Sequence, residues 1–115
     1  MQPKLFELPN ETVAIEDVLL YALGDFQSRG KVLADRELAL DRLHGAFLRA
    51  FVKFGIAELP DEQIVKVLKT LGVDVAELPS FVAKHPFRLT VSEKISTRGR
   101  TYYAKITADG SSKAI

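Results

Sequence analysis

Residues 87–106, FRLTVSEKISTRGRTYYAKI, decide the predicted fold because apolar and polar side chains alternate along them. The alternating apolar residues are Phe87, Leu89, Val91, Tyr102, Ala104 and Ile106. A period of two is typical of half-buried β-strands, and Gly99 suits the turn between two of them. The stretch therefore predicts an antiparallel β-hairpin over residues 87–107.

The register of this hairpin predicts a basic outer surface. If Ile95 lies opposite Arg100 across a four-residue loop, every apolar residue of the pair falls on one face. The outer face and the tip then carry Arg88, Lys94, Arg98, Arg100, Tyr103 and Lys105. Guanidinium and ammonium groups pair with phosphates, and a tyrosine ring stacks on bases. We take these six as candidate nucleic-acid-binding residues and expect Tyr102 in the core.

The net charge of +1 hides an uneven distribution. Residues 84–115 hold seven Lys and Arg against two acids, or +5, and the rest of the chain holds nine against thirteen, or −4. A basic segment of this kind favours an acidic partner such as nucleic acid. Lysine and arginine also protect exposed edge strands from pairing with other chains, and both interpretations stay open.

The chain before the hairpin has a helical period. Predicted helices cover about residues 10–26, 35–54 and 61–71, with at most a short fourth within residues 73–84. The fold class is therefore α+β: a bundle of three to four helices followed by a C-terminal two-stranded antiparallel β-hairpin. We expect one compact domain over residues 1–107, helical over 10–84, and a flexible tail over 108–115.

Composition argues against several classes of protein. The chain has no cysteine, and its two histidines, His44 and His85, have no carboxylate partners at a metal-binding spacing. No local spacing joins a nucleophile to a base, so we expect no enzyme, no cofactor and no metal. No apolar run has the length of a membrane span, and we expect a cytoplasmic protein.

Residues 61–107 resemble winged helix-turn-helix DNA-binding domains. The most specific piece is Leu71-Gly72-Val73, similar to the turn between the two helices of such domains. The resemblance implies DNA binding, with the hairpin as the wing. The second helix would carry Glu77 and Pro79, so the wing would make most of the contacts.

A second resemblance covers residues 71–106. A leucine-rich turn, a short helix, an apolar strand and then Gly99-Arg100-Thr101-Tyr102 with Ile106 are similar to the C-terminal part of some phage single-stranded-DNA-binding proteins. This is a likeness of motif and not of fold, because the N-terminal half predicts helices where that family has a β-barrel.

The function expected from these features is non-enzymatic nucleic-acid binding, regulatory or accessory to replication or recombination. We expect DNA rather than RNA as the partner. The alternative is a protein-interaction or self-associating scaffold domain, because the helices carry more apolar surface than one narrow stripe. A homodimer or an acidic protein partner would then replace the nucleic acid.

Overall fold

A computed structural model describes residues 14–79 and 87–114, with side chains up to residue 108. Its elements are α1 (Ile15–Ser28), β1 (Glu37–Ala39), α2 (His44–Phe54), α3 (Asp61–Leu71), β2 (Asp74–Glu77), β3 (Phe87–Thr90) and α4 (Glu93–Ala114). A single 3₁₀ turn, Leu40–Leu43, joins β1 to α2. The described residues thus form four α-helices and a three-stranded antiparallel sheet, which confirms the α+β class.

Helix α1 is the centre of the fold. Every residue from Val18 to Phe26 is buried, because the run VLLYALGDF is apolar on nearly all sides. A helix that is apolar all round must be covered on all sides. Helices α2, α3 and α4 supply that cover. The helix predicted at 10–26 is observed at Ile15–Ser28, and residues 10–13 lie outside the described range.

The predicted C-terminal hairpin is wrong, because Glu93–Ala114 is one helix. Ser92 begins it, since its Oγ accepts a hydrogen bond from the backbone N–H of Ile95 at 3.3 Å. Tyr102 and Ile106 also fit a helical stripe, whereas Ala104 is exposed. That stripe comprises Ile95, Gly99, Tyr102, Tyr103 and Ile106, at i, i+4, i+7, i+8 and i+11. The helix extends into the range 108–115 that was predicted as a tail.

The first half of the hairpin is a strand, but its neighbours differ from those predicted. Strand β3 lies between β1 and β2, in the order β1-β3-β2. Leu38, Leu89 and Val75 are in register and face the core. Strand β2 occupies residues 74–77 of the range 73–84 in which at most a short fourth helix was predicted, and residues 80–84 of that range lie outside the described residues. The sheet is thus built from two consecutive strands, β2 and β3, and from β1, which lies much earlier in the chain.

The helix predicted over 61–71 is confirmed as α3. The segment predicted as one helix over 35–54 is divided. Strand β1 and the 3₁₀ turn occupy its first part, and only His44–Phe54 is α-helical. Asp35, the first residue of the predicted helix, has φ 59° and donates its backbone N–H to the Val91 carbonyl at 2.7 Å. The connection therefore turns towards the sheet before α2 begins.

Helices α1 and α4 cross at two glycines. A Cβ on Gly24 would collide with the Cβ of Tyr103 and the carbonyl oxygen of Gly99. A Cβ on Gly99 would lie 3.1 Å from both the Leu20 carbonyl oxygen and the Leu23 Cβ. Since neither position has room for a methyl group, Gly99 serves close helix packing and not the predicted turn.

Gly24→Ala tests this crossing. The new methyl group meets a rigid backbone, so we expect the free energy of unfolding to fall by about 2 kcal/mol or more. The matched control is Gly45→Ala in α2, whose Cβ would approach one outer guanidinium nitrogen of Arg49, at 3.3 Å, and no backbone of another element. Urea denaturation followed by circular dichroism measures both. Equal stability of the two variants would contradict the close crossing.

Candidate nucleic-acid interface

Three of the six predicted contact residues share an exposed face of α4. Lys94, Arg98 and Lys105 fall at i, i+4 and i+11, and Thr101 at i+7 completes the row. We call these four residues the α4 stripe. At 1.5 Å of rise per residue it is roughly 16 Å long. Its three cations form no ion pair with any residue within 14–79 or 87–108.

Arg100 lies at the border between α4 and α1 and has a structural role. Its guanidinium donates to Gln27 Oε1 at 3.0 Å and to Thr97 Oγ1 at 3.1 Å. The amide of Gln27 in turn donates to the Ser96 carbonyl at 2.9 Å. These bonds join the start of α4 to the end of α1, so Arg100 is separated from the α4 stripe.

Tyr103 does not lie on the exposed face that the sequence predicted for it. Its ring is half-buried, with its centroid 4.9 Å from that of Tyr21. Tyr21 in turn meets the edge of Phe54 at 5.3 Å. Tyr103 therefore packs between helices. Its neighbour in the sequence, Tyr102, was expected in the core and is half-buried.

Arg88 occupies the middle of the outer face of the sheet. It lies in register between Ala39 and Ala76, with Glu37 and Asp74 flanking the next position of the same face. The six residues predicted for the outer face and the tip of one hairpin thus lie in three places: the α4 stripe, the border of α1 with α4, and the sheet.

A groove of about 380 Å³ runs beside the α4 stripe and is open to solvent. Helix α1 contributes Asp17 and Leu20 to its lining. Helix α4 contributes Thr97, Arg98, Thr101, Tyr102 and Lys105. Burial raises the pKa of the Tyr102 hydroxyl, and the nearby Asp17 carboxylate adds to the rise. The groove thus brings two cations, three hydroxyls and one carboxylate together around an apolar wall.

A second exposed set of donors lies on α3. Ile64, Val65 and Leu68 are buried, whereas Gln63, Lys66, Lys69 and Thr70 are exposed. The Thr70 hydroxyl donates to the Lys66 carbonyl at 3.1 Å, and neither lysine forms an ion pair with another described side chain. Neither lysine is among the six predicted contact residues, because the second helix of the predicted helix-turn-helix was placed after the turn Leu71-Gly72-Val73.

A buried carboxylate joins α1 to α2. Asp25 is 4% exposed and accepts a hydrogen bond from Arg49 Nε at 2.7 Å and a weaker one from Arg29 Nε at 3.5 Å. Burial raises the pKa of Tyr21, the Tyr103 hydroxyl and Asp25 raise it further, and Arg49 lowers it. An acid within an apolar helical run was a signal of this pairing that the sequence interpretation left unused.

The described residues were compared with the requirements of a metal site and of a membrane span. Among those residues no group of three His, Asp or Glu side chains could hold a metal ion. None of the described helices is long and apolar enough to cross a bilayer. No family model matches the chain, and neither does a curated protein nor a solved structure.

Substitution of the two arginines tests the buried ion pair. Arg49→Met leaves the Asp25 carboxylate buried with only the long contact to Arg29. We expect a loss of about 2 to 3 kcal/mol in the free energy of unfolding. Arg29→Met removes only that long contact from a half-exposed side chain, and we expect a loss below about 1 kcal/mol. Chemical denaturation at neutral pH gives both values, and the reverse order would refute this assignment.

Tyr21 gives a pH test with a defined sign. Its folded-state pKa lies above the ordinary 10.0, so the folded and unfolded chains both keep the proton at lower pH. As the pH rises past the ordinary value of 10.0, the unfolded chain loses its Tyr21 proton before the folded chain does, and the free energy of unfolding falls. We expect Tyr21→Phe to lose less thermal stability than wild type between about pH 8 and pH 11. An identical decline in the melting temperatures of both proteins would contradict the shift.

Proposed function

We propose that this protein binds duplex DNA in the manner of a winged helix, with α3 as the helix that enters the major groove. The observation that carries the proposal is the order of the elements, α1-β1-α2-α3-β2-β3. Two consecutive helices, α2 and α3, are followed by two antiparallel neighbouring strands, and β1 lies on the other side of β3. This order supports a helix-turn-helix followed by a wing.

The helix pair and the wing of this winged helix lie earlier in the chain than the sequence predicted. The sequence placed α3 as the first helix of the pair and residues 87–107 as the wing. With α4 helical, α3 becomes the second helix of the pair, and β2 and β3 take the position of the wing strands. The connection between those strands lies largely outside the described residues, and the proposal uses none of its side chains.

The chemistry of the outer side of α3 supports the groove contact. Gln63, Lys66 and Thr70 fall at i, i+3 and i+7, which spreads them over roughly 10 Å of helix, about three base-pair steps. Lysine ammonium groups pair with phosphates, and a glutamine amide can bond adenine in a bidentate manner. Asp61 and Glu62 in the first turn disfavour phosphates at that end, so Lys66 and Lys69 are the phosphate contacts we propose.

The α4 stripe is the competing surface, because it retains three of the residues that the sequence singled out. A basic helix face can also bind the DNA backbone without reading sequence. Two differences favour α3: its polar face includes an amide able to read a base, and it directly precedes the paired strands. Lys94 is the one cation of the α4 stripe that does not line the groove. Its substitution therefore tests whether DNA binds to the α4 stripe or to α3.

Lys66→Ala tests the proposal in fluorescence-anisotropy titrations with a labelled DNA duplex at several salt concentrations. We expect weaker binding at each salt and a log–log salt slope smaller by about one, because one phosphate contact is lost. Lys31→Ala, in the connection after α1, changes the net charge equally and should leave the affinity within about twofold of wild type.

Lys94→Ala completes the set. If it weakens duplex binding while Lys66→Ala does not, the interface lies on α4 and the assignment to α3 is wrong. If the wild-type protein binds neither duplex nor single-stranded DNA at low salt, the proposal as a whole fails.

A further inference from the structure

We propose that the groove between α1 and α4 binds a nucleoside monophosphate, as a free ligand and independently of DNA binding. Its volume of about 380 Å³ lies at the lower end of the range of small-molecule sites, which suits one nucleotide rather than a folded partner. Its lining divides into a cationic end, an apolar wall and one carboxylate.

The cationic end suits a phosphate monoester. Arg98, Thr101 and Lys105 fall at i, i+3 and i+7 on α4, so the hydroxyl lies between the two cations on one helix face. Their Cα atoms are roughly 10 Å apart at the ends, a span that two long side chains can close around one phosphate. The phosphate of a monoester carries nearly two negative charges at neutral pH, which match the charges of Arg98 and Lys105, two cations that form no ion pair among the described residues.

The opposite side suits a nucleoside. Leu20 is buried and Tyr102 is half-buried, and together they give the groove an apolar wall for a base or ribose. Asp17, on the neighbouring helix, offers carboxylate oxygens that accept hydrogen bonds from ribose hydroxyls or from base amino groups. No described residue forms an ion pair with Asp17, so its charge is available to a ligand.

The carboxylate decides between ligand classes. An inorganic anion or a simple carboxylate would be repelled by Asp17 and would leave the apolar wall uncovered. A ligand that combines two negative charges with hydrogen-bond donors on an apolar body uses all three parts of the groove. A phosphodiester unit of a strand carries one charge where the groove offers two cations, so the free monophosphate is the better match.

Isothermal titration calorimetry with AMP, adenosine and inorganic phosphate tests the site on the full chain. We expect AMP to bind about tenfold more tightly than either of its parts. Lys105→Ala should weaken AMP binding by about tenfold, since it removes a charge-assisted bond. The matched control is Lys94→Ala, which removes the same charge from the same face outside the groove, and should change the affinity by less than about twofold.

Asp17→Ala gives an outcome of opposite sign for two ligands. We expect weaker binding of AMP, because an acceptor is lost, and tighter binding of inorganic phosphate, because a repulsive charge is lost. Asp17→Ala and Lys105→Ala both alter solvent-accessible side chains, so the far-ultraviolet circular dichroism of each variant should match that of wild type.

Four results would overturn the inference. They are no heat of binding at millimolar AMP, equal affinities for AMP and phosphate, equal losses in Lys94→Ala and Lys105→Ala, or displacement of AMP by a lower concentration of single-stranded oligonucleotide. The last result would assign the groove to a strand instead of a free nucleotide. Because Lys66 lies outside the groove, the DNA titrations report on α3 separately.

Discussion

The contact of α1 with α4 at Gly24 and Gly99 is the constraint on which the rest of the structure depends. Two helices can approach this closely only where both lack a Cβ, and the approach covers the side of α1 that α2 and α3 leave open. It also fixes the rotation of α4 about its axis. With Gly99 turned inward, the α4 stripe points to solvent and Tyr103 packs against Tyr21.

The sequence predicted those elements whose signals are local. Helix α3 follows Pro60 and stops at Gly72, which has φ 99°, and its apolar spacing fits only a helix. Strand β1, of three residues, was taken into the helix predicted over 35–54, and strand β2, of four, into the segment 73–84 that was given at most a short helix. Strand β3 is equally short, but Phe87, Leu89 and Val91 continue one alternation past its end. The pairing of β1 and β2 with β3 is a tertiary fact that no short window contains.

The predicted hairpin failed for a different reason. Glycine permits a turn, and it also permits close packing, so Gly99 is consistent with both structures. What decides between them is the backbone of α1, whose Leu20 carbonyl lies 3.1 Å from where a Cβ would be. The excess of positive charge in the segment follows directly from the sequence, but the prediction of which basic residues share a face was wrong. Residues seven and eleven apart share a helix face, whereas in a strand the face alternates at every residue.

The groove could not be predicted from the sequence because it joins Asp17 to residues about eighty positions later.

The position of a lysine or arginine along its helix decides whether the helix dipole stabilises its charge. Lys53 and Lys69 lie in the last turns of α2 and α3, where the negative end of the dipole stabilises them without any ligand. Lys94 lies in the first turn of α4, where a cation is unfavourable by about 0.3 to 1 kcal/mol. Arg98 and Lys105 gain nothing from either end. The dipole of α4 therefore does not account for the charges of Lys94, Arg98 and Lys105, and a bound anion would compensate them.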